Sequence, residues 1–495
     1  MAKQYQLSKS SFIKGLQCKK QLYLYKHHYD WMDPVSEQQQ AIFDRGHNVG
    51  ILAQNLFPGG VDASTDSPRE YEKGIKQTEE FIKAGKTIIY EAAFRYNDVL
   101  VISDIIVKEN GKWKVYEVKS STSVSEVYLM DASIQYYVLS NLGYDIEDIS
   151  IVYINNQYIR QGELDLQSLF AVQSVLDEAL ANQEFIAEKV KEFQALLREP
   201  NIPDIDIGTH CTDPYNCSFM GYCWKDVPDY SVFDIARLRK AQKFDLYYQG
   251  IVDFKDIPND APLGYKQWQQ VNSELNNETI INKEAIKEFI DDLEYPLHYL
   301  DFETFMPAVP LFDNSRPYQQ IPFQYSLHIK RSPEGELEHF EFLAEASGDP
   351  REEFIKNLII DVQPSGDILV YNQTFEKTRL KELAADFPQY EEEIYNIIAR
   401  IKDLMIPFRE RWYYTPEMKG SYSIKYVLPA LVSGLSYEEL NIQEGGSAMN
   451  AFESLYFETD MIKIDQTRKD LLEYCKMDTL AMVEILNALN SSKII

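Results

Sequence analysis

The apolar positions along the chain change period several times, and each change predicts an element. Helical spacing from about Ser11, taking in Cys18, Leu22 and Leu24, predicts an early helix, and a polar-faced helical stretch continues to about residue 85. Strand-like runs follow at Thr87–Glu91, Val99–Ile102 and Trp113–Tyr116. A helix near Leu129–Leu142 leads to an apolar strand, Ile149–Ile154, and amphipathic helices are predicted to fill 164–198. Residues 226–290 read as a helical connector. In it, helical periodicity over Ala236–Tyr248, then Gly250-Ile251 and a second short helix, would make a helix-hairpin-helix able to hold a phosphate on backbone N–H groups; a plain linker is the alternative. Beyond 290 the predicted strands are Leu297–Phe302, Phe323–Ile329, His339–Leu343 and Ile368–Tyr371, and helices dominate to the end, including Asp470–Leu489. The pattern predicts an α/β chain in three parts: 1–225, 226–290 and 291–495.

Composition narrows the class. At 495 residues the chain exceeds one ordinary core, so two or three domains are expected. No run of about 18 apolar residues occurs, and the N-terminus lacks the apolar core of a signal peptide, so a cytoplasmic chain without a membrane partner is expected. The net charge of −29 excludes a surface coated in basic residues. Nucleic acid is bound largely by displacing counterions with Lys and Arg, so a nucleic-acid partner requires local basic grooves within an acidic whole.

Two acidic clusters with metal-ligand spacing carry the candidate chemistry. In the first, Asn110-Gly111 between two strand-like runs predicts a two-residue hairpin turn. Glu109 then pairs with Lys112, and counting outward puts Asp104 opposite Glu117. Like charges facing each other across a ladder repel, and a divalent cation between them reverses the sign. Lys119 shares the face of Glu117, and Glu91 on the preceding strand adds a candidate ligand. Bound Mg2+ or Mn2+ would lower the pKa of a water, and the lysine would position it or steady charge on a phosphate.

These residues resemble the PD-(D/E)XK nuclease superfamily. Asp104 matches its metal-binding aspartate, and Glu117 and Lys119 its acid-x-lysine pair. Gln135-Tyr136 is similar to the glutamine–tyrosine motif of the RecB-like branch, although that branch places the tyrosine four residues on, where Leu139 stands. The branch also carries a metal-ligating histidine after an N-terminal glycine; here His47 follows Gly46 at once.

Cys211, Cys217 and Cys223 are separated by five residues each, and Cys18 lies far upstream. Four thiolates so placed suit a 4Fe–4S cluster. Structural zinc, which favours two- to four-residue gaps, is the second choice, and four free core cysteines are the third. One early cysteine with three at the end of a RecB-like domain resembles the iron–sulfur nucleases, among them the CRISPR-adaptation exonucleases and the AddB-type recombination nucleases. The resemblance implies a cluster that ties the two ends of the domain together. By analogy with disulfides, such a closure is worth about 5 kcal/mol. Cys475 lies outside the pattern and reads as a small core residue.

In the second cluster Asp301 and Glu303 share a strand face, and Tyr474 and Asp478 share a helix face. Between them Asn372-Gln373-Thr374-Phe375-Glu376 follows an apolar strand. This order resembles the tyrosine subtype of the DEDD exonucleases, whose fold resembles ribonuclease H. The resemblance implies two metal ions held by Asp301, Glu303 and Asp478, Glu376 where the family usually has aspartate, and Tyr474 orienting the attacking water. Asp403 is an alternative ligand. Ser421–Lys425 is a candidate nucleic-acid contact or a capped helix start.

Together the two halves resemble a bacterial family that joins an iron–sulfur RecB-like nuclease to a DEDD-type domain. The expected fold is a restriction-endonuclease-like α/β domain followed by a ribonuclease H-like one. The expected activity is metal-dependent hydrolysis of DNA, as single strands or duplex ends, with RNA as a further substrate, in repair, recombination or defence. Two alternatives stand: only the C-terminal site works, on RNA or single-stranded DNA; or the chain is an inactive nucleic-acid-binding scaffold.

Overall fold

The computed structural model describes residues 6–67, 70–491 and 494. The chain divides into two compact mixed α/β units. The first runs to Asp226 and includes Ala308–Tyr318; the second comprises Val227–Pro307 and the chain from Gln319 onward.

The sheet of the first unit contains Leu7–Ser8 (β1), Val61–Asp62 (β2), Ile88–Tyr96 (β3), Val99–Glu109 (β4), Lys112–Lys119 (β5), Ile146–Ile154 (β6) and Phe170–Ser174 (β7). Strands β2 to β7 lie side by side in sequence order, and β1 pairs with β4. The hairpin of β4 and β5 has the expected register, with Glu109 opposite Lys112 and Ile105 opposite Tyr116. Its turn residues Asn110 and Gly111 both take positive φ, +49° and +90°, as a turn matching strand twist requires. β1 runs parallel to the start of β4, Leu7 beside Val99, and so delivers Lys9 to the sheet. The helix Glu126–Asn141 covers one face, burying Ala132, Ile134, Val138 and Leu139 against Val115, Ile149 and Phe193. Residues 164–198 are not all helical. Leu166–Leu169 is a single turn and β7 is an edge strand paired with β6; only Leu176–Ala181 and Gln183–Leu196 are longer helices. Phe170 has a strand partner in Ile154, and that pairing overrides the helical periodicity.

The segment expected as a connector groups with the second unit. Val232, Ile235, Leu246, Ile251, Phe254 and Val271 form a core of their own. The helix Lys240–Tyr248 ends at Gly250 (φ +79°), and a single 3-10 turn, Phe254–Asp256, follows before Pro258. A 3-10 turn thus stands where the short second helix of a helix-hairpin-helix was expected, and the next α-helix is Tyr265–Asn276.

The second unit adds Ile280–Ile281 (β8), Leu297–Phe305 (β9), Ile321–Lys330 (β10), Leu337–Leu343 (β11), Ile368–Val370 (β12), Ile401–Asp403 (β13) and Tyr413–Tyr414 (β14). Its main sheet has the order β11-β10-β9-β12-β13. β9, β10 and β11 are antiparallel, whereas β12 is parallel to β9 and to β13. Alternation along β9 sends Leu300 and Phe302 into the core with Phe354, Leu358 and Leu380, and Asp301 and Glu303 to the opposite face. That face is covered by the helix Met461–Leu489, which begins earlier than its periodicity suggested because Asp460 caps it through Ile462 N at 3.0 Å. Buried hydrogen bonds fix its position: Gln324 Nε2 donates to Leu471 O at 2.7 Å, and Thr479 Oγ1 lies 2.7 Å from Ser326 Oγ and 2.8 Å from His328 Nδ1.

Just before β12, Gly366 has φ +84°, and a Cβ there would lie 2.1 Å from Pro296 O. Gly366→Ala should destabilise the second unit by about 2 kcal/mol or more, measured by chemical denaturation. Gly111→Ala, where nothing lies near the added carbon, should cost about 1 kcal/mol.

Candidate metal centres

The second unit gathers three acids. Among the described residues, Asp301, Glu303 and Asp478 are the one group of three metal-ligating side chains whose ligand atoms all lie within 4.8 Å of one another. Asp478 is buried, whereas Asp301 and Glu303 keep an edge open to solvent. Burial raises all three, and repulsion by neighbouring carboxylates adds to it at Asp301 and Glu303: Asp301 stands well above the usual carboxylate range, Glu303 at about 8 and Asp478 at about 6. Lys425 is the one cation that draws Glu303 and Asp478 back down, and its ammonium donates to Gln443 O. One lysine against three carboxylates leaves the group short of positive charge, so the donor set fits divalent cations bound through oxygen.

Further groups frame these acids. Tyr474 hydrogen-bonds Asp478, as the four-residue helix spacing allows, and Tyr437 Oη donates to Asp478 Oδ1 at 2.6 Å. Tyr437 and Lys425 were not singled out as site residues from sequence. Tyr437 comes from a loop far from either motif, and no local spacing marks it. Lys425 does lie in the segment Ser421–Lys425, which is tied to the sheet by Tyr371 Oη donating to Tyr422 O at 2.8 Å. Glu376 is buried, its Oε2 has no hydrogen-bond partner, and burial lifts its pKa to about 8. It repels Asp301 but stands outside the tight trio. Asp403 is committed elsewhere: its Oδ1 accepts from Asn372 N at 3.1 Å and Met405 N at 3.0 Å, and Arg409 pairs with it at 3.5 Å. Cys475 is buried as expected, with Sγ 3.8 Å from Asp301 Oδ2.

The first unit arranges its acids differently. Glu117 is 2 % exposed and already paired. Lys9 and Lys119 both bind its Oε1, the latter at 2.8 Å, and Gln135 Nε2 donates to Oε2 at 2.7 Å. These two ammonium groups hold its pKa down at about 2 despite burial. Lys119 also meets Asp131 at 2.6 Å, and Gln135 is oriented by Ser103 Oγ at 2.7 Å. Asp104 stands one step beyond the last ladder pair, its Oδ2 accepting from Val118 N at 2.6 Å. Burial and Glu117 raise it to about 6. Glu91, forced to φ +52°, is raised to about 8 by burial and Asp104. Glu91 and Asp104 line a cavity of about 710 Å³ together with Gly46 and His47. Acids that burial raises beside a cavity fit a cation even with Lys9 near both, yet no three of Glu91, Asp104, Glu117 and His47 come within 4.8 Å of one another. Lys9 and Asp131 escaped the sequence reading because only the tertiary pairing of β1 with β4 and the docking of a helix bring them in.

Cys18, Cys211, Cys217 and Cys223 are near enough to act on one another: burial raises Cys217 and Cys223, and Cys18 and Cys211 add to it. Three Sγ atoms do not close to within 4.8 Å among the described residues.

A family model described as a domain of unknown function (DUF2779) matches residues 298–423, which take in Asp301, Glu303 and Glu376 but stop short of Asp478. An uncharacterized protein of Ureaplasma parvum serovar 3 is 29% identical over 232 residues, 42% of this chain and 33% of its own length. An uncharacterized protein of Mycoplasma pneumoniae is 30% identical over 218 residues, 38% of this chain and 31% of its own. The chain thus spans about a third of the length of these relatives. No helix among the described residues is long and apolar enough to cross a membrane.

The raised carboxyls make stability depend on pH with a definite sign. A carboxyl whose pKa is higher folded than unfolded binds its proton more tightly when folded, so stability is intact below the unfolded pKa near 4 and is lost as pH rises towards the folded value. Glu303 and Glu376, both near 8, set a window of about pH 4–8. In EDTA the melting temperature should fall from pH 5 to pH 8. Mn2+ or Mg2+ should restore it most at pH 8 and little at pH 5. Glu303→Gln should raise the metal-free melting temperature at pH 8 and shrink the metal effect.

Proposed function

We propose that the chain is a divalent-metal-dependent nuclease with two active sites. The observation that carries this reading is the convergence of Asp301, Glu303 and Asp478, whose ligand atoms all lie within 4.8 Å of one another. The mixed sheet with Asp301 and Glu303 on its central strand, and Asp478 on the helix that covers it, supports the ribonuclease H-like, DEDD-type expectation for the second unit. The hairpin that carries Asp104, Glu117 and Lys119 beside Gln135 supports the PD-(D/E)XK expectation for the first.

Bound divalent ions would activate a water and steady the leaving oxygen of a phosphodiester. The chain's own groups do the rest. Asp301, Glu303 and Asp478 would hold the ions, with Glu376 behind them. Tyr474 orients the nucleophile, and the hydrogen bond from Tyr437 fixes the rotamer of Asp478. In the first unit Glu91 and Asp104 would hold a cation at the cavity, and Lys119, kept protonated by Glu117 and Asp131, steadies charge on the phosphate. The four cysteines would hold a 4Fe–4S cluster that joins the start of the first unit to its end. DNA, as single strands or duplex ends, is the proposed substrate, in repair, recombination or defence.

A second reading, in which only the C-terminal site cuts RNA or single-stranded DNA, draws on one observation: Glu117 is saturated by Lys9, Lys119 and Gln135.

End-labelled DNA and RNA incubated with Mg2+ or Mn2+ separate these readings. Lys119→Ala and Asp301→Ala should each remove part of the cutting, and the double variant all of it. Loss of all cutting in Asp301→Ala alone selects the second reading, and undiminished cutting by the double variant rejects both. Protein purified anaerobically should be brown and contain iron. Cys18→Ser should lose the iron and lower the melting temperature, whereas a colourless protein with stoichiometric zinc would reject the cluster.

A further inference from the structure

The loop between Cys211 and Cys217 reaches the first site. Cys217 N donates to Cys211 O at 2.8 Å and closes the loop on itself. Gln17 Nε2 pins it from outside, donating to His210 O at 2.8 Å and Tyr215 O at 2.7 Å. Gln17 ends the helix Lys9–Gln17, whose first residue binds Glu117. One rigid helix therefore spans from the acid centre to the loop. At the loop's tip Tyr215 is 52% exposed, and Tyr128, Lys119 and Asp131 stand close enough to act on it. Lys119 Nζ in turn lies 5.0 Å from the centre of the Tyr128 ring. An open aromatic ring is thus fixed beside the lysine assigned to the phosphate.

The neighbouring surface has the charge that a strand of phosphates needs. Residues 9–26 contain Lys9, Lys14, Lys19, Lys20 and Lys26 and no acidic residue, in a chain of net charge −29. Aromatic rings are interleaved with them: Tyr25 lies 5.3 Å from Lys14 Nζ and 5.7 Å from Lys26 Nζ, and Trp31 stacks on Tyr222 at 4.8 Å. Lysines interleaved with stacking rings are how proteins hold single strands without reading their sequence. Lys9 is taken up by Glu117 and Lys19 by Glu192, so the local basic surface is carried by Lys14, Lys20 and Lys26.

Building on the nuclease reading of the first site, we propose that Tyr215 stacks on an unpaired base of a single-stranded substrate at that site, and that the lysine-bearing helices Lys9–Gln17 and Lys19–His27 carry the strand. A paired base presents no face to such a ring, so duplex DNA should gain nothing from it.

The test uses the full chain bearing Asp301→Ala, with Ca2+ present, and fluorescence anisotropy of a labelled oligodeoxythymidine. Tyr215→Ala should weaken binding about 5- to 150-fold, the equivalent of about 1–3 kcal/mol per stacked base. Tyr215→Phe should restore it. On an oligomer of abasic nucleotides the parent should bind as weakly as Tyr215→Ala, and that variant should lose nothing further. A role confined to folding would weaken both strands alike. Equal binding of intact strands by the parent and Tyr215→Ala overturns the proposal, as does an equal loss on intact and abasic strands or a preference for duplex. If binding depends on Tyr215 but the Asp301→Ala chain never cuts while its Lys119 is intact, the stacking role stands and the catalytic reading of the first site fails.

Discussion

Carboxylates brought together in partial burial repel one another, and each centre in this chain is organised by how that repulsion is met. Internal partners meet it in the first unit, where Lys9, Lys119 and Gln135 surround Glu117. In the second unit it is left unmet, and Asp301, Glu303 and Asp478 are raised together. Paired ions of the first kind stiffen a site. Unpaired acids of the second kind leave it charged for a ligand that brings the missing sign.

The scaffolding follows from that difference. Acids that repel must be held by something other than their own attraction. On β9 the strand's alternation sets two of them. The third depends on a long helix whose register is locked by Thr479, one residue past Asp478, to Ser326 and His328. In the first unit the rigid parts are the β4–β5 hairpin and the short β1 strand, which brings a lysine to the centre from the far end of the sequence.

Local rules made part of this legible in the sequence. Asn110-Gly111 dictates its turn, and the turn dictates which residues face each other, so Asp104 and Glu117 could be paired by counting. The Asp-x-Glu spacing on a strand and Tyr-x-x-x-Asp on a helix placed the second trio by the same means. What escaped was set at long range. Lys9, Asp131, Tyr437 and Lys425 reach the centres through tertiary docking, and no spacing records it. β7 is only five residues long and lies among helical stretches, so its pairing with β6 is what makes it a strand. The short β13 strand, at the edge of the sheet beside β12, has too few residues to show a period.

Ala308–Tyr318 packs with the first unit, although the chain on both sides of it belongs to the second. Arg160 holds this excursion through Pro310 O at 2.9 Å and Leu311 O at 3.1 Å, and Ala308, Val309 and Tyr318 complete an apolar cluster with Val49, Val152 and Phe170. A single cut near residue 226 therefore cannot separate two intact folds. The leading fragment would expose a bare apolar patch, and the trailing one would carry an orphaned loop. Biochemical dissection of the two centres must proceed by point substitution in the undivided polypeptide.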